Sequence, residues 1–522
     1  MFENIAVLLR QSALRWPACE ALVEGDRRLT YAQFDELVSR TADALRGLGL
    51  QAGGHVAVIS TNCYEQVTTH LGAVRAGCVA VLFNPRLTAD EILSLMQLTH
   101  PRAVVFDGEL SETMGEVRRA LGLESSIHWI AIRQPLPDFA TSWETLVRRA
   151  SGRYDPADVS DGAPALMMFT SGTTGLPKAV VIERRAEWLN SLIMIGELGL
   201  RPGERTLNIA PLFHAAPWDC FFVPHMAAGG VNVITRGFDP EQMRHLLDQE
   251  RITTLLAVPT HFELSMKSGI AKFGMPRFLR MVAVTGAPTR WESLSWIREH
   301  LCRSVFNIYG LTEATTLITV CPPEEIERSE RMPCIGRSLL GMEVRLVPLD
   351  ARAPTSEAVP PGEPGQLICR GPKLMIEYYR NPEKTAERIR EGWLFTGDVC
   401  YRDQDDYFYI ADRLDDVIIT GGEKVYPTEV EAVLNRHPGV RDCVVLGIPD
   451  DVWGNRMKAF IVPKAPDLTP EAVLTWIREN RLIADYKRPR EIELIDAIPR
   501  NPSGKVLKKL LRRKNPAART TN

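Results

Sequence analysis

The stretch Met167–Ile182, MMFTSGTTGLPKAVVI, sets hydroxyl side chains, glycines and one lysine between two apolar runs. Gly172 and Gly175 let the backbone approach a ligand closely. Thr170, Ser171, Thr173 and Thr174 add hydroxyls beside successive backbone N–H groups, a set of donors suited to phosphate oxygens. Lys178 supplies a compact cation, and Pro177 holds it at the loop edge. The spelling departs from the usual phosphate loop, G-x-x-x-x-G-K-[ST]. Here the two glycines stand three apart and Ala179 follows the lysine, so a P-loop NTPase is ruled out. A plain Ser/Thr/Gly surface turn has the same composition. The Gly-Leu-Pro-Lys continuation and the strand-like flanks favour the phosphate reading.

Such a loop needs rigid elements on either side. Short β-rich apolar runs alternate with helical patterns along the chain: HVAVIS (55–60), YEQVTTHLGAVRAG (64–77), VAVLF (79–83), TADEILSLMQLT (88–99) and AVVFD (103–107). Thr88 and Glu91 spell a capping box. Strand–helix alternation predicts stacked α/β layers around parallel sheets. The Pro/Gly-rich stretch 351–365 lies between strand-like EVRLV and QLICR and reads as a long hairpin loop. Beyond YFYIADRLDDVIITGG (407–422) the chain carries a separate α+β pattern, TEVEAVLNRH, DCVVLGI, MKAFIVP, PEAVLTWIREN and EIELI. The expected division is a large domain over 1–412 and a small one over 413–522.

Composition narrows the class. A chain of 522 residues exceeds one ordinary domain. A net charge of −3 gives no general attraction for nucleic acid or an anionic membrane. Ten cysteines are scattered from Cys19 to Cys443 without a C-x-x-C pair, a pattern of reduced thiols rather than a disulfide scaffold or zinc site. The first segment, MFENIAVLLRQSALRW, reads as an amphipathic helix rather than a secretory signal. No run approaches the roughly 18 apolar residues of a membrane span. A soluble, cytoplasmic protein is expected.

Further motifs follow in order: PLFHAAPW (211–218), VTGAP (284–288), NIYGLTEAT (307–315), GWLFTGD (392–398), ADRLDDVIITGGEKVYPTEVE (411–431) and PRNPSGKVLKK (499–509). With FTSGTTGLPKAVV and LTYAQFDELVSR (29–40), the chain resembles the adenylate-forming (AMP-binding) superfamily over nearly its whole length, in the branch of the acyl-CoA synthetases. The resemblance implies an α/β fold: a large N-terminal domain of stacked layers with a β-barrel-like subdomain, and a small mobile α+β C-terminal domain.

The implied chemistry answers a difficulty of organic reactivity. Carboxylate oxygen is a poor leaving group, so thioester formation needs an activated acid. In the family the acid attacks the α-phosphate of ATP, giving an acyl-adenylate and pyrophosphate, and the thiol of coenzyme A then displaces AMP. Charge neutralisation around phosphate and a metal serve the first step. The resemblance assigns Glu313 to Mg2+, with Thr170 nearby, and gives Lys178 and Lys505 catalytic roles. Lys505 would bridge acyl carboxylate and α-phosphate. Tyr309 would face adenine, within a segment that also carries Asn307, Gly310 and Thr312, and Gly286, Ala287 and Pro288 would shape the adenine pocket. Asp398 would accept the ribose hydroxyls, and Arg413 would contact ribose or phosphate. Asp415 matches a hinge position, while Gly421 and Gly422 would let backbone pass the pantetheine arm. Lys424 is unassigned. Taken singly, these residues have plainer readings: a solvated glutamate, a core tyrosine, a hairpin aspartate, a salt-bridged arginine and a tail lysine. Lys508, Lys509, Arg512 and Arg513 read as such a solvated tail.

His214, Trp218 and Leu311 are expected at the acyl pocket. Ala215 stands where amino-acid-activating relatives carry an aspartate, and the segment offers no other acidic partner, so a hydrophobic acid is expected: fatty, aryl or bulky alicyclic. The rival acceptor is an acyl carrier protein in place of coenzyme A. A luciferase-type oxidation and a silent binding protein are weaker rivals. A homodimer is a further expected assembly.

Overall fold

A computed structural model of the chain describes residues 4–122, 126–152, 159–170, 177–287, 289, 291–328, 334–354, 359–420, 423–450, 453–480, 483–500 and 506–513. Contacts divide the chain into two compact units. The first comprises Met1–Thr285, Thr289–Glu343 and Arg370–Leu394; the second comprises Gly286–Pro288, Val344–Cys369 and Phe395–Asn522.

Two large sheets build the first unit. Among the described residues the eight-stranded sheet has the order Glu377–Tyr378, Lys178–Glu183, Pro164–Thr170, Val79–Phe83, His55–Ile59, Ala103–Asp107, His128–Ile132 and Thr141–Ser142. Its middle strands pair in parallel and are apolar almost without break, because helices cover both faces. Every residue of Val79–Phe83 and of Ala103–Asp107 is buried. The helix Ala89–Thr99 starts with the expected capping box, Thr88 and Glu91 satisfying two N-terminal donors reciprocally.

The nine-stranded sheet runs Arg337–Ser338, Thr316–Cys321, Val305–Leu311, Met281–Val284, Thr254–Ala257, Arg205–Asn208, Val231–Ile234, Glu20–Glu24 and Arg27–Thr30. It switches to antiparallel pairing where Val305–Leu311 meets Thr316–Cys321. That turn carries the YGLTE motif.

The second unit contains the strand Phe408–Arg413 and most of the strands Gly365–Arg370 and Trp393–Arg402, which share a five-stranded sheet. The strand Glu343–Val347 neighbours Gly365–Arg370, so the Pro/Gly-rich stretch between them joins adjacent strands as expected. A three-stranded sheet of Val440–Asp450, Gly454–Pro463 and Glu491–Leu494 packs helices Pro427–Leu434 and Pro470–Asn480 through Val430, Leu434, Val473 and Ile477. The α/β class and the α+β character of the C-terminal segment are both as expected. Among the described residues no helix is long and apolar enough to cross a membrane.

The tail differs from expectation. Lys508 and Arg512 are partly exposed but not a free tail: both bond Asp416, at 3.0 and 3.3 Å. The helix Lys508–Arg513 sets them four apart on one face, which lets one carboxylate hold both.

Glu431 gives the second unit a pH signature. Its carboxylate accepts the Val445 N–H at 2.8 Å, and burial pushes its carboxyl up from 4.5 to about 7. Between those values the folded chain keeps a proton that the unfolded chain has released, so stability falls as pH rises through the window. Denaturant unfolding of this unit from pH 4 to pH 8 is expected to show that fall, and Glu431→Gln is expected to flatten it.

Candidate active site

The hairpin that opens the site comes from strands Pro164–Thr170 and Lys178–Glu183, where Thr170 and Lys178 are register partners. Ser171, Gly172, Thr173, Thr174 and Gly175 lie outside the described residues. The edge strand Glu377–Tyr378 pairs antiparallel to Lys178–Glu183, with Tyr378 opposite Val180. Ile376 and Tyr379 add backbone bonds to Val181 and Ala179, both 2.8 Å. This register brings the Tyr378 ring under the lysine, whose Nζ lies 4.7 Å from the ring centroid. Burial, and then Arg388, hold the Lys178 ammonium below the ordinary lysine range.

Glu313 reaches the same place from the other sheet. It stands on the 3-10 turn Thr312–Ala314 after strand Val305–Leu311. Its Oε1 accepts the Tyr378 hydroxyl at 2.6 Å, and its backbone carbonyl accepts the Met375 N–H at 2.8 Å. Burial and the adjacent Glu313 carboxylate raise the Tyr378 phenol, so the tyrosine stays a neutral donor. Thr170, Lys178 and Glu313 were expected together. Tyr378 was not, although EYYRNPE held it in plain view as an aromatic between a turn and a helix start.

Close backbone approach explains the glycine of the motif. A Cβ on Gly310 would lie 1.6 Å from the Thr316 carbonyl oxygen, so no side chain fits there. Tyr309 is buried in the same strand, and Asn307 donates its amide to the Cys334 carbonyl at 2.6 Å. Leu311 and Thr312 are half-buried.

The segment after His214 forms a π-helix, Ala216–Phe222. Such helices are uncommon and concentrate at functional sites. The Trp218 indole is fully buried, stacked between His70 at 4.0 Å and Phe222 at 4.8 Å, and its N–H donates to Glu187 Oε1 at 3.2 Å. Among the described residues His214 Nε2 is buried without a hydrogen-bond partner, and burial lowers this imidazole to about 4, keeping it neutral. Two acidic groups lie close to Trp218. Glu187 and Asp219 are both buried beside Trp218, and burial pushes both carboxyls up, Glu187 to about 7. Lys373 opposes the rise at Asp219. The acidic partner comes from a different helix, Arg184–Glu197, which no local reading of PLFHAAPW reveals.

In the second unit Asp398 and Arg413 are register partners on neighbouring strands, and Arg413 Nε meets Asp398 Oδ1 at 2.6 Å. Asp398 is buried, and its N–H bonds Thr396 Oγ1 at 3.0 Å. Asp415 belongs to the 3-10 turn Leu414–Asp416, of which only its backbone is described. Gly286 takes φ 90°, a conformation that suits glycine, with Ala287 next to it. Pro288, Gly421, Gly422 and Lys505 lie outside the described residues.

The AMP-binding enzyme family matches residues 9–379, and the AMP-binding enzyme C-terminal domain matches residues 429–505. A feruloyl-CoA synthase of an Amycolatopsis species is 32% identical over 510 residues, covering 95% of this chain and 96% of that protein. The fatty acid–[acyl-carrier-protein] ligase ScoC of Streptomyces coeruleorubidus is 31% identical over 509 residues, covering 95% and 93%. The crystal structure of ATP-bound MatB from Rhodopseudomonas palustris superposes with a TM-score of 0.87 at 26% identity, covering 98% and 99%. The chain belongs to the AMP-binding enzyme family, the adenylate-forming superfamily, in its acyl-CoA synthetase branch.

Proposed function

We propose that the protein is an ATP-dependent acyl-CoA synthetase. It activates a hydrophobic carboxylic acid as its acyl-adenylate, releases pyrophosphate, and transfers the acyl group to coenzyme A with release of AMP. The observation that carries this reading is the junction of Lys178, Tyr378 and Glu313 at the base of the Thr170–Lys178 hairpin. It sets a cation and a carboxylate beside a loop of phosphate-donor composition.

The residues fit a hard cation. Glu313 engages one carboxylate oxygen with Tyr378, and the other, with the Thr170 hydroxyl, matches the oxygen donors that Mg2+ prefers. Among the described residues no three His, Cys, Asp or Glu side chains gather as a metal cluster, so Mg2+ would take its remaining ligands from ATP phosphate and water. Once bound there it would neutralise phosphate charge as the acid attacks. Lys178 orients the β- and γ-phosphates that leave together. Tyr309, with Asn307, Gly310, Thr312, Gly286, Ala287 and Pro288, forms the adenine side; Asp398 takes the ribose hydroxyls, and Arg413, its ion-pair partner, turns to ribose or phosphate. Lys505 neutralises the carboxylate and α-phosphate as they approach.

The part from 413 to 522 is the mobile domain in this proposal, with Asp415 as its hinge and Gly421 and Gly422 clearing the thiol path. His214, Trp218 and Leu311 border the acyl group. Burial raises the Asp219 carboxyl and so disfavours its charged form, which supports a hydrophobic acid, fatty or aryl. The cytoplasm is the compartment we assign. The resemblance to ScoC favours one second reading, an acyl carrier protein as acceptor.

Pyrophosphate exchange with a panel of fatty and aryl acids, followed by mass spectrometry of products with coenzyme A or a carrier protein, tests this function. Exchange with at least one acid and an acyl-CoA product are expected; no exchange with any acid would overturn it. Tyr378→Phe removes a hydrogen bond to a charged group, of about 1.5–3 kcal/mol, and should slow exchange about ten- to a hundredfold without loss of fold. Lys505→Ala should cripple exchange yet leave thioester formation from supplied acyl-adenylate largely intact; equal loss in both steps would refute its assigned role.

A further inference from the structure

Lys373 lies wholly inside the first unit, with no exposed surface. Burying an ammonium is costly unless every proton is bonded and the charge is met. Its Nζ donates to the carbonyls of Leu317 at 2.5 Å, Ala314 at 3.2 Å and Thr315 at 3.4 Å, and to Asn190 Oδ1 at 3.0 Å. Three of these four acceptors belong to the backbone just after Glu313. That backbone has an unusual course. Thr315 and Thr316 both take positive φ, 45° and 73°, a conformation that β-branched residues rarely adopt. Such a course persists only where its surroundings over-determine it.

The segment around Lys373 supplies those surroundings. Thr315 Oγ1 donates to the Lys373 carbonyl at 2.6 Å, and the Met375 N–H donates to the Glu313 carbonyl at 2.8 Å. The turn carrying Glu313 is thus strapped by backbone on one side and by the ammonium on the other. Asp219, buried on the π-helix, is the acid nearest in electrostatic reach: the ammonium opposes the rise that burial imposes on its carboxyl, and among the described residues neither carboxyl oxygen is hydrogen-bonded, with Glu187 beside it. Asn190 completes the link: its Oδ1 accepts from Lys373 and its Nδ2 donates to the Asp219 carbonyl at 2.8 Å. One buried cation therefore joins the turn of Glu313 to the helix of Trp218.

We propose that Lys373 is a positioning residue for adenylation: its ammonium fixes the left-handed Thr315–Thr316 backbone and so holds the Glu313 carboxylate where Mg·ATP binds. The proposal rests on the acyl-CoA synthetase reading. It makes the cation at this position a requirement for Mg·ATP binding rather than for packing alone.

The test compares Lys373→Met with Lys373→Met/Asp219→Asn, the second also replacing the buried acid on which the ammonium acts. Circular dichroism and thermal melts establish that each is folded. Calorimetric titration with Mg·ATP, in the absence of any acid, is expected to weaken about tenfold or more in both variants. The Mg2+ concentration for half-maximal pyrophosphate exchange should rise by a similar factor, while KM for the acid moves little. In a Glu313→Gln background the Lys373→Met change should add almost nothing, because both act through one carboxylate. A folded Lys373→Met/Asp219→Asn protein with unaltered Mg·ATP binding, or full additivity with Glu313→Gln, would overturn the proposal. Wild-type protein that binds Mg·ATP but exchanges pyrophosphate with no acid would instead refute the synthetase reading and leave the Lys373 comparison intact.

Discussion

The hydrogen bond from Tyr378 to Glu313 is the point at which the two sheets of the large unit become one site. Each sheet alone presents half of the proposed site. The eight-stranded sheet ends in the hairpin of Thr170 and Lys178, and the nine-stranded sheet ends in the turn of Glu313. Tyr378 belongs to the edge strand of the first and bonds the carboxylate of the second at 2.6 Å. A charge-assisted bond of this length has strict geometry. It constrains the edge strand and the turn together, and the ring beneath Lys178 inherits that constraint.

Strain and burial are spent on the same turn. Gly310 lets the neighbouring strand approach within a distance no side chain allows, and Thr315 and Thr316 accept left-handed backbone beyond it. The ammonium of Lys373 satisfies the carbonyls that this course exposes to the interior. The second unit repeats the theme of charge held in reserve. Asp398 and Arg413 are paired with each other on adjacent strands, and Asp416 is held by Lys508 and Arg512.

Local patterns made much of this legible. The parallel strands His55–Ile59, Val79–Phe83 and Ala103–Asp107 announced themselves as apolar runs because both faces are covered, and the Thr88–Glu91 box marked its helix start. The loop of Thr170 and Lys178 stood out through its Gly-Leu-Pro-Lys continuation and strand-like flanks, and the YGLTE turn through the family resemblance. What escaped were partnerships with residues outside those motifs. Tyr378 meets Glu313 from 65 residues away, and Trp218 meets Glu187 from 31. Asp219 and Lys373 carry no local sign of their burial, since burial of a charge is decided by the fold and not by its neighbours in sequence. The basic tail was misread for the same reason: Asp416 lies far upstream of Lys508.

The central claim is that a carboxylate oxygen of the acid attacks the α-phosphate of ATP. A carboxylic acid labelled with oxygen-18 in its carboxylate, turned over with ATP and coenzyme A and followed by mass spectrometry of the nucleotide, tests that bond directly. One labelled oxygen should appear in AMP, with none in pyrophosphate. Unlabelled AMP, or label in inorganic phosphate with ADP as the nucleotide product, would contradict an acyl-adenylate pathway.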